Sequence, residues 1–301
     1  MAVYTKITLR DINLIEKYFN IGKINSFIGI KKGIENTNYL IKTKHKKYIL
    51  TIFEKRVHSK DLPFFMKLMS GLAKNKIKCP KPIKNKKGNH LFKIKNKNAC
   101  IVTFLKGKDK VNVSSKECFI IGKNIAKLHN ASKKLKIYRK NSLSVNSWSP
   151  LLNKINKRIN KLSKNLVQDI KIDLVKIKKI WPKNLPKGII HGDLFIDNIF
   201  FFKKRFHGFI DFYFSSNDYY AYELAICINA LCFNKKNKKF TLNQNKSSNL
   251  LRGYQSIRKL TNKEKKNFNI LCIGSALRYL LTRAYDYLNT PKTALIKIKD
   301  P

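Results

Sequence analysis

Near residue 105 the hydrophobic period of this chain changes, and that change limits the folds open to it. Upstream, the short runs "SFIGI", "TNYLIKT", "KYILTIFE" and "ACIVTFLKG" have the length and composition of strands and are separated by turn residues. One segment there, "DLPFFMKLMSGLAKNKI", has a helical period instead, with Leu62, Phe65, Met66, Met69, Leu72 and Ala73 on one face and Asp61 placed as N-cap. After residue 113 long amphipathic patterns take over, as in "SSKECFIIGKNIAKLHNAS" and "LCIGSALRYLLTRAYDYL". The expected fold is α+β and bilobal: a small N-terminal mixed-sheet lobe over residues 1–105 and a larger, mainly helical C-terminal lobe over 106–301. A chain of 301 residues can bury a core of that size, and it contains neither an internal repeat nor a long linker.

The formal net charge of +48 suggests at first a nucleic-acid or anionic-membrane partner. Almost all of the positive charge is lysine, however; arginine stands only at positions 10, 56, 139, 158, 205, 252, 258, 278 and 283. Readers of nucleic acid depend on arginine for forked contacts to guanine and phosphate. Here lysine, isoleucine and asparagine rise together along the whole chain, as in "KNKKGNHLFKIKNKNA" and "LLNKINKRINKLSKNL", the pattern of solvated positions filled by codon bias. No specific nucleic-acid partner and no membrane partner are therefore expected, and non-specific binding should fade as salt rises.

Six cysteines without a CxxC pair, scattered through apolar context, read as buried thiols in a reducing cytoplasm. The first residues, "MAVYTKITLRDINLIEKYF", are too evenly charged for a signal peptide, and "YYAYELAICINALCF" is too short and too interrupted to cross a bilayer. A cytoplasmic protein is the expectation.

The chemistry is concentrated in "LPKGIIHGDLFIDNIFFF", where polar residues sit between apolar runs. "HGDLFIDN" has the spacing His-x-Asp-x-x-x-x-Asn, and "GFIDFYF" follows after a hairpin-length gap with Asp211 at the end of an apolar strand. Phosphoryl transfer to an alcohol needs an aspartate that takes the acceptor's proton, an asparagine on the metal, and a second aspartate from the next strand holding the ion that bridges the phosphates. Asp193, Asn198 and Asp211 fit those three roles in that order. Each alone is more often a turn cap or strand end; the ordered set on a strand-loop-strand pattern is not.

These stretches, with the "IGKNIAKLH" helix, resemble the aminoglycoside-phosphotransferase-like kinases, which have a protein-kinase-like fold. "MAVYT", "SFIGIKKGIENTNYLIKT", "YILTIFEKRV", "DLPFFMKLM", "CPKPI", "IVTFLKG", "DFYFSSNDYYAYELAICINALCF" and "ALRYLLTRAYDYLNTP" are more narrowly similar to the homoserine kinases built on that fold. The resemblance implies transfer of the γ-phosphoryl of ATP to L-homoserine, a step toward threonine, with ATP and Mg2+ as cofactors. It makes residues 1–105 a nucleotide-covering lobe and places the catalytic and metal-binding loops in residues 106–301. It also implies Asp193 as catalytic base, Asn198 and Asp211 as metal ligands, His191 and Asp197 as supporting groups, and Gly33, Asn36, Thr51, Thr103 and Leu105 along the nucleotide.

Two features depart from the pattern. Kinases of this shape carry a lysine on the third strand and a glutamate on the next helix. Here Thr51 occupies the lysine position and "DLPFFMKLM" offers no glutamate, leaving Arg56 or Lys42 as candidate substitutes. For the acceptor's ammonium and carboxylate the candidates are Asp218, Glu223, Arg278, Arg283 and Asp286. The alternative acceptors are other small amino alcohols, choline, ethanolamine or hydroxylysine, with Tyr213, Tyr219, Tyr220 and Tyr222 as the material of an aromatic cage.

Overall fold

The structure, a computed structural model, describes residues 3–30, 36–54, 57–237, 239–290 and 301. Helix α1 (Leu9–Tyr18) precedes strands β1 (Ile24–Gly29), β2 (Thr37–Thr43) and β3 (Lys47–Ile52). Helix α2 (Leu62–Lys74), β4 (Leu91–Ile94) and β5 (Lys97–Thr103) follow. The strands form one sheet in the order β1-β2-β3-β5-β4, and the sheet expected to be mixed is antiparallel at each pairing.

Period-two alternation gives this sheet two different faces. Tyr48, Leu50 and Ile52 of β3 join Ile12, Ile15 and Phe19 in a core beneath α1. On the opposite face Ile49 packs against a larger core that contains Phe65, Met69 and Leu72 of α2, together with Ile121, Ile125 and Leu128 of helix α3 (Ser115–Lys133). That larger core also takes in Cys100, Val102 and Val113, so it runs straight across the position where the sequence changes period.

Asp61 does stand at the N-cap of α2, but its side chain makes no capping bond. It accepts a 2.8 Å hydrogen bond from Arg139 Nε instead, a long-range pairing that local sequence cannot announce.

Further on come α4 (Val145–Ile155), α5 (Leu166–Ile180), β6 (Lys187–Ile190), β7 (Ile199–Phe202), β8 (Arg205–Phe209), β9 (Ser216–Tyr219) and α6 (Tyr220–Leu231). The chain then forms β10 (Phe233–Lys236), β11 (Lys239–Leu242), α7 (Gln244–Gln255), α8 (Asn262–Lys266) and α9 (Phe268–Asn289). Trp148, Leu152, Ile170, Leu174, Ala225 and Leu281 build a second helical core among α4, α5, α6 and α9. Helices α3 and α7 approach so closely that a Cβ on Gly122 would lie 2.0 Å from Leu250 O, and one on Gly253 1.9 Å from Phe119 O. Only glycine permits that crossing.

The cysteines described are all free, five of them buried. Among the described residues no helix is long and apolar enough to cross a membrane.

Candidate active site

Strand β6 pairs antiparallel with β9, Ile190 opposite Ser216, and between them lie both loops that carry the ordered Asp-Asn-Asp set. Leaving β6, the chain runs through residues 191–198, enters the β7–β8 hairpin, and returns to Asp211 just before β9. Ile199 pairs with Phe209 at the base of the hairpin, and Ile210 N donates to Asn198 O at 3.0 Å, so Asn198 and Asp211 are brought to the same end of it. Asp211 has φ 62°, a left-handed conformation that an aspartate tolerates better than most residues.

His191 ties the two loops together. Its ring is fully buried against Phe212, centroids 4.6 Å apart, and its Nε2 lies 2.8 Å from Ile210 O. A carbonyl can only accept, so Nε2 carries the proton, while the buried Nδ1 has no hydrogen-bond partner. Burial depresses the His191 pKa and keeps the ring neutral. This is a structural use of histidine between two loops rather than proton transfer.

The loop is anchored from behind by Glu223 in the first turn of α6. Its carboxylate, completely buried, accepts from the backbone amides of His191 and Gly192, the latter at 3.1 Å. Burial alone would raise its pKa, but the neighbouring His129 and His191 and the loop amide outweigh that and hold it below the usual carboxylate range. Behind it runs a polar chain. Arg258 Nη1 donates to Tyr254 OH at 3.2 Å, and Tyr254 OH lies 2.8 Å from His129 Nδ1. With its lone pair facing Arg258, the tyrosine gives its proton to Nδ1, which puts the imidazole N–H on Nε2, facing Glu223 at 3.8 Å. Arg258 in turn pairs with Glu264 at 2.9 Å, in the capping box of α8. Glu223 therefore does not face an acceptor, as the sequence had suggested; it is spent on loop backbone.

Asp193 is half-buried and held from several sides. Asn198 Nδ2 donates to its main-chain oxygen at 2.8 Å and to its carboxylate at 3.0 Å. Helix α9 approaches from the front: Arg278 Nη1 and Tyr279 OH both donate to Gly192 O, at 2.9 and 3.1 Å, with the Tyr279 hydroxyl 3.4 Å from Asp193 Oδ1. Because the Asn198 amide nitrogen is committed to Asp193, its Oδ1 is left as a hard oxygen on a residue that shares one end of the hairpin with Asp211. Asp197 lies half-buried in the single turn of 3-10 helix before β7.

The nucleotide-side candidates fare unevenly. Gly33 and Arg56 lie outside the described residues. Asn36 is buried, and its Oδ1 accepts from Glu54 N at 3.4 Å. Thr51, on the face of β3 toward the larger core, donates its hydroxyl to Asn38 Oδ1 at 2.7 Å and lies beside Tyr213, so nothing cationic occupies the usual lysine position. Lys42 stands four residues, roughly 13 Å, along β2 from Asn38, the residue opposite Thr51, too far to replace that lysine. Thr103 Oγ1 accepts from Lys81 N at 2.9 Å, and Leu105 packs beside Gly208 in β8.

Of the acceptor-side candidates, Arg278 is buried beside the loop. Arg283 lies over the rings of Phe195 and Tyr279, at 5.3 and 5.9 Å. Asp218 receives Asn141 Nδ2 at 2.6 Å. Asp286 stands seven residues beyond Tyr279, roughly 10 Å along α9, where its carbonyl closes the end of the helix against Thr290 N. The four tyrosines do not converge on a cage: Tyr213 packs on Phe53 and Phe65, Tyr219 bonds Pro182 O, Tyr220 covers His129, and Tyr222 meets Trp181. Sequence reasoning missed Tyr279, whose only signal was its place beside Arg278 on a helix otherwise full of core residues.

A model of the phosphotransferase enzyme family matches residues 26–257. The chain belongs to this family. It is 42% identical over its whole length to a homoserine kinase of Agrobacterium fabrum, covering 92% of that protein. With one of Brucella anthropi it is 40% identical, again over its whole length and 91% of the relative. Among solved structures, a spectinomycin phosphotransferase in complex with ADP and its antibiotic superposes with a TM-score of 0.67 over 96% of this chain and 92% of that one, at 14% identity. A microcompartment-associated aminopropanol kinase does so with a TM-score of 0.66 over 95% of this chain and 91% of the other, also at 14% identity. The fold is that of the protein-kinase-like phosphotransferases, and the chain is a kinase.

Proposed function

We propose that this phosphotransferase moves the γ-phosphoryl group of ATP to the side-chain hydroxyl of L-homoserine, giving O-phospho-L-homoserine and ADP for threonine biosynthesis. The supporting observation is the 40–42% identity to homoserine kinases, sustained over the entire chain. The loop geometry is consistent with it. Asp193, oriented by Asn198 and Tyr279, takes the hydroxyl proton as the oxygen attacks the γ-phosphorus and the bond to the β-phosphate oxygen breaks. Tyr213, Tyr219, Tyr220 and Tyr222 do not converge, so these four do not offer the cage that a quaternary ammonium acceptor such as choline would use.

The residues present fit a magnesium ion: Asn198 Oδ1 and the exposed Asp211 carboxylate are hard oxygen donors at one end of the hairpin. When bound there, Mg2+ supplies charge neutralisation at the phosphates. Asp211→Ala should then weaken binding of magnesium-ATP about 100-fold or more by calorimetry, with the melting temperature little changed. Unaltered affinity in a folded variant would remove Asp211 from the metal site.

The reading is tested directly by ADP release from purified protein offered L-homoserine, ethanolamine, choline and hydroxylysine. Turnover is expected with homoserine foremost; preference for any of the others would overturn it.

A further inference from the structure

Against the inner side of the 191–198 loop lies a small, largely enclosed pocket whose polar walls are Gly192, Arg139, Asn141, Ser216 and Arg278. Its charge arrangement is unusual for a core. Arg278 is 3% exposed, its guanidinium lies 4.3 Å from the Tyr279 ring, and among the described residues it has no ion-pair partner. Its one hydrogen bond to the loop leaves Nε buried without a partner, and Ser216 Oγ, from a residue 1% exposed, is equally unpartnered. The Asp193 and Asp218 carboxylates act on this guanidinium electrostatically, and an anion delivered beside its unpartnered Nε would gain a charged donor.

Arg139 contributes the second guanidinium. Nε is paired with Asp61, and Nη1 donates to Ser215 O at 3.1 Å, which leaves Nη2 uncommitted among the described residues. Asp218 stands two residues beyond Ser216 on the same face of β9, its carboxylate held by Asn141 Nδ2 at 2.6 Å and Tyr219 N at 2.7 Å. Two guanidiniums and an orphaned hydroxyl therefore sit together, and Asn141 in the same wall links them to the half-buried carboxylate of Asp218, which lines the neighbouring pocket. That is the charge complement of an α-amino acid head group, and Gly192 in the pocket wall is the residue next to Asp193.

We infer that the head group of the acceptor docks at the mouth of this pocket, whose interior of about 10 Å³ holds about one water: Arg278, Arg139 and Ser216 bind its carboxylate, and Asp218 with Asn141 binds its ammonium. The assignment rests on the homoserine reading and adds the residues that make the enzyme select an amino acid over a bare amino alcohol. Arg139 and Ser216 act here as specificity residues and take no part in proton transfer.

The test compares L-homoserine with 3-aminopropan-1-ol, the same acceptor without its carboxylate, in wild type and in Arg139→Met, which keeps an unbranched side chain but removes the guanidinium that lies over Phe65. The KM for homoserine is expected to rise on the order of 30-fold, the loss of a charge-assisted contact. The KM for ATP and the activity on aminopropanol should change by no more than about threefold. Arg139→Lys, which keeps the charge but loses the fork, should fall between and serves if the first variant does not fold. Equal losses on both acceptors, or an unchanged homoserine KM, would overturn the pocket while leaving the homoserine reading intact. A wild-type enzyme that phosphorylates another alcohol but not homoserine would overturn both.

Discussion

Asp193→Asn is expected to bind magnesium-ATP normally and to lose about three orders of magnitude or more in kcat. The substitution is nearly isosteric, and the residue's main-chain oxygen still accepts from Asn198 Nδ2, so the loop keeps its shape. What disappears is an anion that can accept the hydroxyl proton in the transition state, at a position fixed by Asn198 and Tyr279. Single-turnover ADP release beside a melting curve separates chemistry from folding. A correctly folded Asp193→Asn with wild-type turnover would show that the proton leaves by another route.

The second large effect is expected at a residue that touches no reactant. Glu223→Leu should cost about 3–5 kcal/mol of stability, because the amides of His191 and Gly192 lose their acceptor in a completely buried place. Glu223→Gln keeps one acceptor oxygen and should cost less, about 1–3 kcal/mol. Chemical denaturation of the three proteins at neutral pH provides the comparison; a leucine variant as stable as wild type would refute the anchoring role. The same carboxylate makes stability depend on pH. Its folded pKa lies below that of the unfolded chain, so its contribution is complete above the ordinary glutamate value. Stability should then fall as acid drives the pH down through the lower, folded value, and the leucine variant should lack that part of the acid sensitivity.

Much of the architecture was legible because it is written in local period. The runs at 37–43 and 47–54 became β2 and β3 almost residue for residue, the helical stretch at 114–132 matches α3 to within one residue at each end, and that at 271–288 lies within α9. The Asp-Asn-Asp loops stood out for a different reason: the metal and proton chemistry proposed for them demands particular side chains in a particular order. The failures share one cause. Asp61 has the composition of a cap, yet its bond goes to Arg139, 78 residues away. Glu223 and Arg278 look alike in sequence as charged residues on apolar helices, but one is consumed by loop amides and the other keeps a buried Nε without a hydrogen-bond partner. The stretch "LLNKINKRINKLSKNL" reads as solvated surface, whereas Leu152, Ile155 and Ile159 within it are buried in a helical core. Which partner a polar group finds is decided by tertiary packing, and a one-dimensional pattern does not contain it.

The two-sided grip on the 191–198 loop has a consequence for how the protein is made. Glu223 holds the loop from a point about 30 residues downstream, and Arg278 and Tyr279 hold it from points 86 and 87 residues downstream. As the chain emerges from the ribosome, at about 5–20 residues per second, Asp193 is exposed for several seconds before its supports exist. During that interval a nascent kinase can contain Asp193, the proposed proton acceptor, and still be unable to spend ATP, because the groups that shape the loop have not yet been synthesised. Activity should therefore switch on late and abruptly in translation, once α9 has docked.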